Sequence, residues 1–204
     1  ALGMDIQLIS PKYPLALNLF DMPRGHTTAP LLQYVLSGLM NAPLTPKQEL
    51  IFQFGVTLML AVKGNILTFQ RLLNREEFDL SNVDPTTRRF FETEFYNREY
   101  EATRKEISWR IWSLLKNPIL AAMFSADENR CALEFNRKLI LIDTDVDLLQ
   151  DYSGMFGRFF LAQLLQAAQD RFTGNPRPCY VFCDEAHNYL DTSVLTMLET
   201  ARKG

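Results

Sequence analysis

The sequence has few of the features that mark secreted, membrane-spanning or strongly basic proteins. Its 204 residues include three cysteines that form no disulfide pattern, so a reducing compartment is favoured. No second ligand pair accompanies these cysteines, which argues against a zinc site and favours buried free thiols at Cys179 and Cys183. No apolar run reaches the length of a membrane-spanning helix. The net charge of −3 argues against nucleic-acid binding through overall basicity and leaves a local basic patch open.

The sequence also lacks a phosphate-binding loop of the form G-x-x-x-x-G-K-[S/T], whose backbone amides cradle nucleotide phosphates. Gly64, Gly154 and Gly157 have no Lys-Thr or Lys-Ser partner. The chain starts at Ala1 without resembling a natural initiation, and it stops at Gly204 where a new element is expected. Either a phosphate loop lies before Ala1 or the chain binds no nucleotide. We favour the first alternative and expect a fragment of a longer protein.

The most informative stretch is residues 179–188. Its first five residues are rich in β-forming side chains and do not alternate with polar ones, which is typical of a buried strand in a parallel sheet. Asp184 and Glu185 follow directly. Because ligands of open α/β sheets bind at the carboxyl ends of strands, these two acids are candidates for holding Mg²⁺ and for polarising a water molecule. The alternative is a structural acid pair that caps the next helix.

Other strands and helices are predicted around this stretch. Residues 138–143 form a second apolar run that predicts a buried strand ending at Asp143. An amphipathic pattern over residues 155–172, with Arg158 and Gln166 on its outward polar side, predicts a helix between the two strands. Another helix is predicted over residues 193–203. This alternation is typical of a parallel sheet with crossover helices. A further strand is predicted over residues 4–9, followed by an extended segment over residues 13–21.

Helical periodicity replaces the strand pattern in the middle of the chain. Thr45-Pro46 and Asp84-Pro85 each combine a capping side chain with proline at the first helical position, which predicts two helix starts. The long helical region that follows is expected to break near Asn117-Pro118. The predicted fold class is therefore α/β, a partial parallel sheet with a large all-α insertion. The predicted divisions are residues 1–29 and 131–204 for the sheet domain and 30–130 for the insertion.

Four further side chains each have a functional and a structural interpretation. His187 either contacts the γ-phosphate region of a nucleotide or is an exposed loop residue. Arg202 either acts as an arginine finger toward a neighbouring subunit's nucleotide or favours the dipole at the end of its helix. Trp109 and Trp112, close to several basic residues, either stack on nucleic-acid bases or belong to the helical core. We favour the core for both tryptophans.

The predicted strands, helices and acid pair, taken in their order along the chain, resemble the HerA/FtsK superfamily of RecA-like motor ATPases. Within that superfamily, the nearest branch is the conjugative coupling and transfer ATPases of the TraG/TraD type. The segment over residues 13–19 is similar to the one that follows the second strand in that family, and the central helices match its all-α insertion. The resemblance also rests on the strand at 138–143 and on Phe-Gly-Arg at 156–158. Its most specific part is Val-Phe-Cys-Asp-Glu-Ala-His-Asn at 181–188, followed by a helix that ends in Ala-Arg-Lys-Gly at 201–204.

The resemblance implies a RecA-like fold and ATP-driven DNA translocation by a homo-hexameric ring. Asp184 would contact Mg²⁺ indirectly and would bind ATP together with His187. Glu185 would be the catalytic acid and Arg202 the arginine finger. The resemblance also implies secretion or conjugation proteins as partners and a cytoplasmic location, with attachment to the inner face of a bacterial membrane through other segments as an option. Because the phosphate loop and the sensor strand beyond Gly204 are missing, we expect this chain alone to be inactive.

Two rival interpretations stay open. Residues 184–187 spell Asp-Glu-Ala-His, which is the motif of DEAH-type helicases. Those proteins need a Ser-Ala-Thr element further along the chain and do not usually have a long helical block before the acids. The other rival is a docking module for secretion-machinery proteins, whose α/β part has lost its activity.

Overall fold

The computed structural model describes residues 5–22, 28–40, 42–131, 133, 138–170, 180–190 and 194. Within these ranges the chain is mixed α/β and mostly helical, and it includes a small sheet of two parallel strands, β1 (Asp5–Ile9) and β2 (Lys138–Ile142). The α-helices of the described residues are α1 (Thr28–Met40), α2 (Pro46–Val62), α3 (Ile66–Leu73), α4 (Pro85–Arg89), α5 (Arg98–Lys116), α6 (Pro118–Phe124), α7 (Val146–Leu149) and α8 (Ser153–Asp170). A π-helical turn, Phe90–Glu94, follows α4, and short 3₁₀ turns are formed by Gln150–Tyr152 and Ala186–Asn188.

The two strands pair although six helices lie between them in the sequence. The register runs from Asp5 opposite Lys138 to Ile9 opposite Ile142. A parallel pair cannot be joined by a tight turn, so a long connection between its strands is required. Here helices α1 to α6 provide that connection. The predicted mixture of a parallel sheet with a large helical part is confirmed at this level.

Helix boundaries follow the predicted capping chemistry. The Thr45 side chain accepts a hydrogen bond from the amide of Gln48, and the Gln48 side chain accepts one from the amide of Thr45 at 2.9 Å. Asp84 caps α4 and Asn117 caps α6, each with proline at the next position. Helix α2 ends at Lys63, whose backbone is left-handed with φ of 52°. The predicted starts and the predicted break are confirmed.

The helices enclose an aromatic core. Phe69 on α3 contacts Phe20 and Phe52, with ring centroids 5.8 and 6.2 Å away. All three side chains are buried. Gly55 on α2 allows the close approach of Phe69, because a Cβ at Gly55 would lie 2.5 Å from Cε2 of that ring. Phe20 belongs to the predicted extended segment, which therefore runs through the core between helices.

Helix α8 packs on α1 and connects the sheet region to the helical block. A Cβ at Gly38 would lie 2.9 Å from the Cα of Met155, so the two helix backbones are close. The Arg158 guanidinium lies 5.0 Å from the centroid of the Tyr34 ring. The sequence interpretation placed Arg158 and Gln166 on the solvent side of this helix. That placement is wrong, since Arg158 packs against α1 and Gln166 is buried.

The tryptophans of α5 are not in the core. Trp109 is 77% exposed and Trp112 is 58% exposed. Helix α5 instead buries Ile107, Ile111 and Leu114, which form one stripe at helical spacing. The predicted core position of both tryptophans is therefore wrong, because they lie outside the stripe that faces the other helices.

Strand β2 forms as predicted but is not buried as predicted. Leu139 and Leu141 are 42% and 46% exposed, and their β1 partners Ile6 and Leu8 are 60% and 50% exposed. Directly opposed residues of a strand pair lie on the same face of the sheet. The pair therefore has one apolar face that is largely in contact with solvent.

The strand predicted over residues 179–183 is absent from the described part of that stretch. Tyr180, Val181 and Phe182 are 80%, 55% and 93% exposed and have no strand assignment. A strand depends on a neighbour for its backbone hydrogen bonds, and local β-propensity cannot replace that neighbour. Cys183 is likewise exposed, which corrects the prediction of a buried thiol. Cys179 and the helix predicted over residues 193–203 lie outside the described residues.

Candidate functional site

Polar side chains gather where the carboxyl ends of β1 and β2 meet. The Ser10 hydroxyl donates to Oδ2 of Asp143 at 2.9 Å, and the Asp143 amide donates to the carbonyl of Ile9 at 2.8 Å. Lys12 Nζ lies 2.9 Å from Oδ2 of Asp145 and 3.5 Å from Oδ2 of Asp143. The hydrogen bond between Lys12 and Asp145 raises the pKa of the lysine and lowers the pKa of the aspartate. This edge of the sheet therefore already contains a lysine with its own carboxylate partners.

Tyr189 fixes the acidic loop, residues 184–190, to the same edge. Its hydroxyl shares a 2.7 Å hydrogen bond with Oγ1 of Thr144, which lies two residues beyond β2. Its backbone carbonyl accepts a hydrogen bond from the hydroxyl of Tyr34 on α1. Its ring packs on Gly157 of α8, where a Cβ would lie 2.5 Å from Cε1 of the ring. The end of β2, α1 and α8 all hold the loop through this one tyrosine.

The loop bends sharply at its two acids. Glu185 has a left-handed backbone, with φ of 48° and ψ of 43°. This conformation costs a residue with a Cβ roughly 1–2 kcal/mol. Oδ1 of Asp184 accepts the Glu185 amide at 2.9 Å, and Oε2 of Glu185 accepts Nδ2 of Asn188 at 3.2 Å. These local hydrogen bonds stabilise the bend, and one turn of 3₁₀ helix, Ala186–Asn188, follows it.

Three of the predicted site residues are therefore on one loop at the carboxyl edge of the sheet. Asp184, Glu185 and His187 are all exposed. Within the described part of the chain, none of them forms a hydrogen bond or an ion pair with Asp143 or Lys12. Arg202 lies outside the described residues, so its predicted role as a finger stays a prediction.

The described residues contain no group of three His, Cys, Asp or Glu side chains placed to hold a metal ion. Mg²⁺ in nucleotide sites is usually held by one or two carboxylates together with phosphate oxygens and waters. The exposed carboxylate of Asp184 fits such an outer contact with an ion that enters with a nucleotide. It does not form a dedicated cage for a metal.

The residues that anchor the loop were missed in the sequence. Thr144, Tyr189 and Tyr34 have no motif of their own, and their contacts join distant parts of the chain. A signal was present in α8, where Gly154 and Gly157 interrupt an amphipathic helix. Glycine in such a position often marks a close approach of another segment. Here the segment is the acidic loop: a Cβ at Gly154 would lie 3.5 Å from the carbonyl oxygen of Asn188.

The described helices are each too short or too polar to span a lipid bilayer. No family model matches this chain, and neither a curated protein nor a solved structure is significantly similar to it. A functional assignment therefore rests on the acidic loop, its anchor and the sheet edge.

Proposed function

We propose that this chain is part of a RecA-like, ATP-driven, DNA-translocating motor and that its acidic loop supplies the Walker B acids. The observation that supports this most strongly is the Tyr189–Thr144 hydrogen bond, which holds the loop at the carboxyl end of a parallel strand pair. Ligands of open parallel sheets bind at this edge. A pair of acids at such an edge is a standard part of nucleoside triphosphatases that use Mg²⁺.

The loop residues have distinct roles in this proposal. Asp184 faces the Mg²⁺ that accompanies ATP, which neutralises charge on the phosphates. Glu185, oriented by the Asn188 amide, positions the attacking water. His187 contacts the region of the γ-phosphate, and Arg202 reaches the nucleotide of the next subunit in a homo-hexamer. Binding of ATP itself depends on a phosphate loop supplied by another segment.

The finer fold belongs to the same proposal. In the assembled motor, residues 179–183 add to the sheet as a strand parallel to β2. Their β-forming composition supports this, as does the exposure of Val181 and Phe182, which leaves large apolar side chains in water. Tyr189, six residues after this segment, is hydrogen-bonded to Thr144, which follows β2.

A second candidate is a docking module for secretion-machinery proteins that has lost its activity. It is favoured by the exposure of the Asp184 and Glu185 side chains, which lie at the surface of the described chain. A DEAH-type helicase has less support, because those proteins do not usually have a long helical block before the acids, and helices α1 to α6 form such a block here.

The test compares the Glu185→Gln variant with the unaltered protein. Both are produced as the full-length natural protein that contains these 204 residues. We expect ATP binding to be retained and the ATP turnover rate to fall by roughly 10²- to 10⁴-fold, since the group that orients the water is lost. Glu128→Gln, at an exposed acid outside the loop, is the matched control and should turn over normally. Undiminished turnover in Glu185→Gln overturns the proposal. Failure of the unaltered chain to bind ATP favours the docking module instead.

A further inference from the structure

The outer face of α5 displays two tryptophans to solvent. Trp109 and Trp112 are 77% and 58% exposed, and they are the two tryptophans of the whole chain. Residues three apart on a helix are neighbours on its surface. Large exposed aromatic rings are unfavourable in water, so a pair of them on one face suggests a surface that a ligand covers.

The charges near these rings are of both signs before Trp109 and positive after it. Glu106, three residues before Trp109, is exposed and accepts a hydrogen bond from Nε2 of Gln48 at 3.0 Å. Arg110 and Lys116 are exposed, and neither forms an ion pair with another described residue. The sequence contains no acidic residue from position 107 to position 126. Lys105, one turn before Trp109, pairs with Glu101 at 2.7 Å in an exposed contact that salt weakens.

The polar side chains of this face distinguish it from a typical protein-docking surface. Protein interfaces bury their aromatic anchors in a central patch that is more apolar than the rest of the surface. On α5 no large apolar residue besides the two tryptophans is exposed within the described chain. Isolated aromatic rings between cations are instead the combination that binds single-stranded nucleic acid, where bases stack on rings and phosphates contact Lys and Arg.

We propose that the outer face of α5 binds single-stranded nucleic acid, with Trp109 and Trp112 stacking on bases. Lys116, four residues after Trp112, contacts a phosphate on the same face, and Arg110 reaches a phosphate from the adjoining side of the helix. This inference rests on the proposed function in one respect, because the bound nucleic acid is the motor's DNA only if the chain belongs to such a motor. It deepens that function by assigning a DNA contact to the helical block, away from the acidic loop.

The experiment is a titration of the whole chain with a single-stranded oligothymidylate of about 16 nucleotides. No ATP or other nucleoside triphosphate is present. Intrinsic fluorescence reports directly on the surface, because both tryptophans belong to it. We expect quenching on binding. Anisotropy of a labelled oligonucleotide should then show roughly fivefold to hundredfold weaker binding for Trp109→Ala and for Trp112→Ala.

Two sets of variants separate stacking from charge. Trp109→Phe should recover part of the lost affinity, and Tyr13→Ala, at an exposed aromatic residue elsewhere, should bind normally. The slope of log affinity against log salt should be unchanged in the tryptophan variants. It should become shallower by about 0.7 for each of Arg110→Ala and Lys116→Ala.

Three results would overturn the inference. The first is the absence of quenching at saturating oligothymidylate, and the second is equal affinity in the tryptophan-to-alanine variants. The third is tryptophan-dependent binding of inorganic polyphosphate, which has no bases, as tight as that of DNA. Failure here leaves the Glu185→Gln test untouched, because that test measures ATP turnover. If the Glu185→Gln test fails, the oligothymidylate titration still decides by itself whether α5 binds DNA.

Discussion

The helical block and the sheet edge of this protein differ in how completely they bury their apolar residues. In the block, Phe52, Phe69 and Phe95 are inaccessible to solvent and contact other aromatic rings. At the sheet, Leu8 and Leu141 face each other across the strand pair with about half of each side chain exposed. A two-stranded sheet is marginal unless further strands or helices cover it. The block therefore has its own core, while the strand pair has an apolar face that is largely open to solvent.

This difference is informative about function. The incompletely covered part of the molecule also contains the acids, the anchor tyrosine and the lysine with its carboxylates. A sheet edge that is open to solvent is available to a nucleotide and to further strands. The block, by contrast, exposes few large apolar residues, and the tryptophans of α5 are the most exposed among them.

The largest expected effect breaks the core of the block. Phe69→Ala should lower the free energy of unfolding by about 3–5 kcal/mol, because it removes a buried ring and leaves a cavity beside Gly55. Leu141→Ala, at the exposed face of the sheet, should cost about 1 kcal/mol or less. Urea unfolding of the two variants measures the contrast. Equal losses would show that the sheet face is covered in solution.

A smaller effect sharpens the comparison within α8. Gly157→Ala should destabilise the protein by about 1–3 kcal/mol and release the acidic loop, since the new Cβ would overlap the Tyr189 ring. Gly154→Ala is the matched control, because its Cβ would make only an ordinary contact and neither glycine has positive φ. Thermal unfolding and limited proteolysis of the loop measure both. Similar behaviour of the two variants would contradict the packing of Tyr189 on α8.

Features set by local chemistry could be predicted from the sequence. Thr45-Pro46, Asp84-Pro85 and Asn117-Pro118 satisfy the free amides at helix starts with their own side chains, so the three starts depend on few distant contacts. The two strands were predicted from their apolar runs. The alternation of strands and helices predicted a parallel sheet that joins residues 138–143 to residues 179–183, whereas β2 pairs with β1 among the described residues.

Features set by distant contacts could not be predicted. Helical spacing alone does not distinguish Trp109 and Trp112 from the neighbouring stripe of Ile107 and Ile111, because that choice depends on which face of α5 meets other helices. The exposure of Phe182 depends on whether another strand is present beside it. The anchor by Tyr189 joins residues that are 45 positions apart in the sequence.

The most direct test of the account measures amide hydrogen exchange in the acidic loop. The amides of Asn188, Tyr189 and Leu190 donate to carbonyls within the loop at 2.9, 3.1 and 2.8 Å. Tyr189→Phe removes the hydroxyl that bonds Thr144, so these amides should exchange roughly two- to tenfold faster while the Phe69 amide in α3 is unchanged. Tyr180→Phe, at an exposed tyrosine, is the control. Unprotected loop amides in the unaltered protein, or equal exchange in Tyr189→Phe, would contradict an acidic loop anchored at the sheet edge.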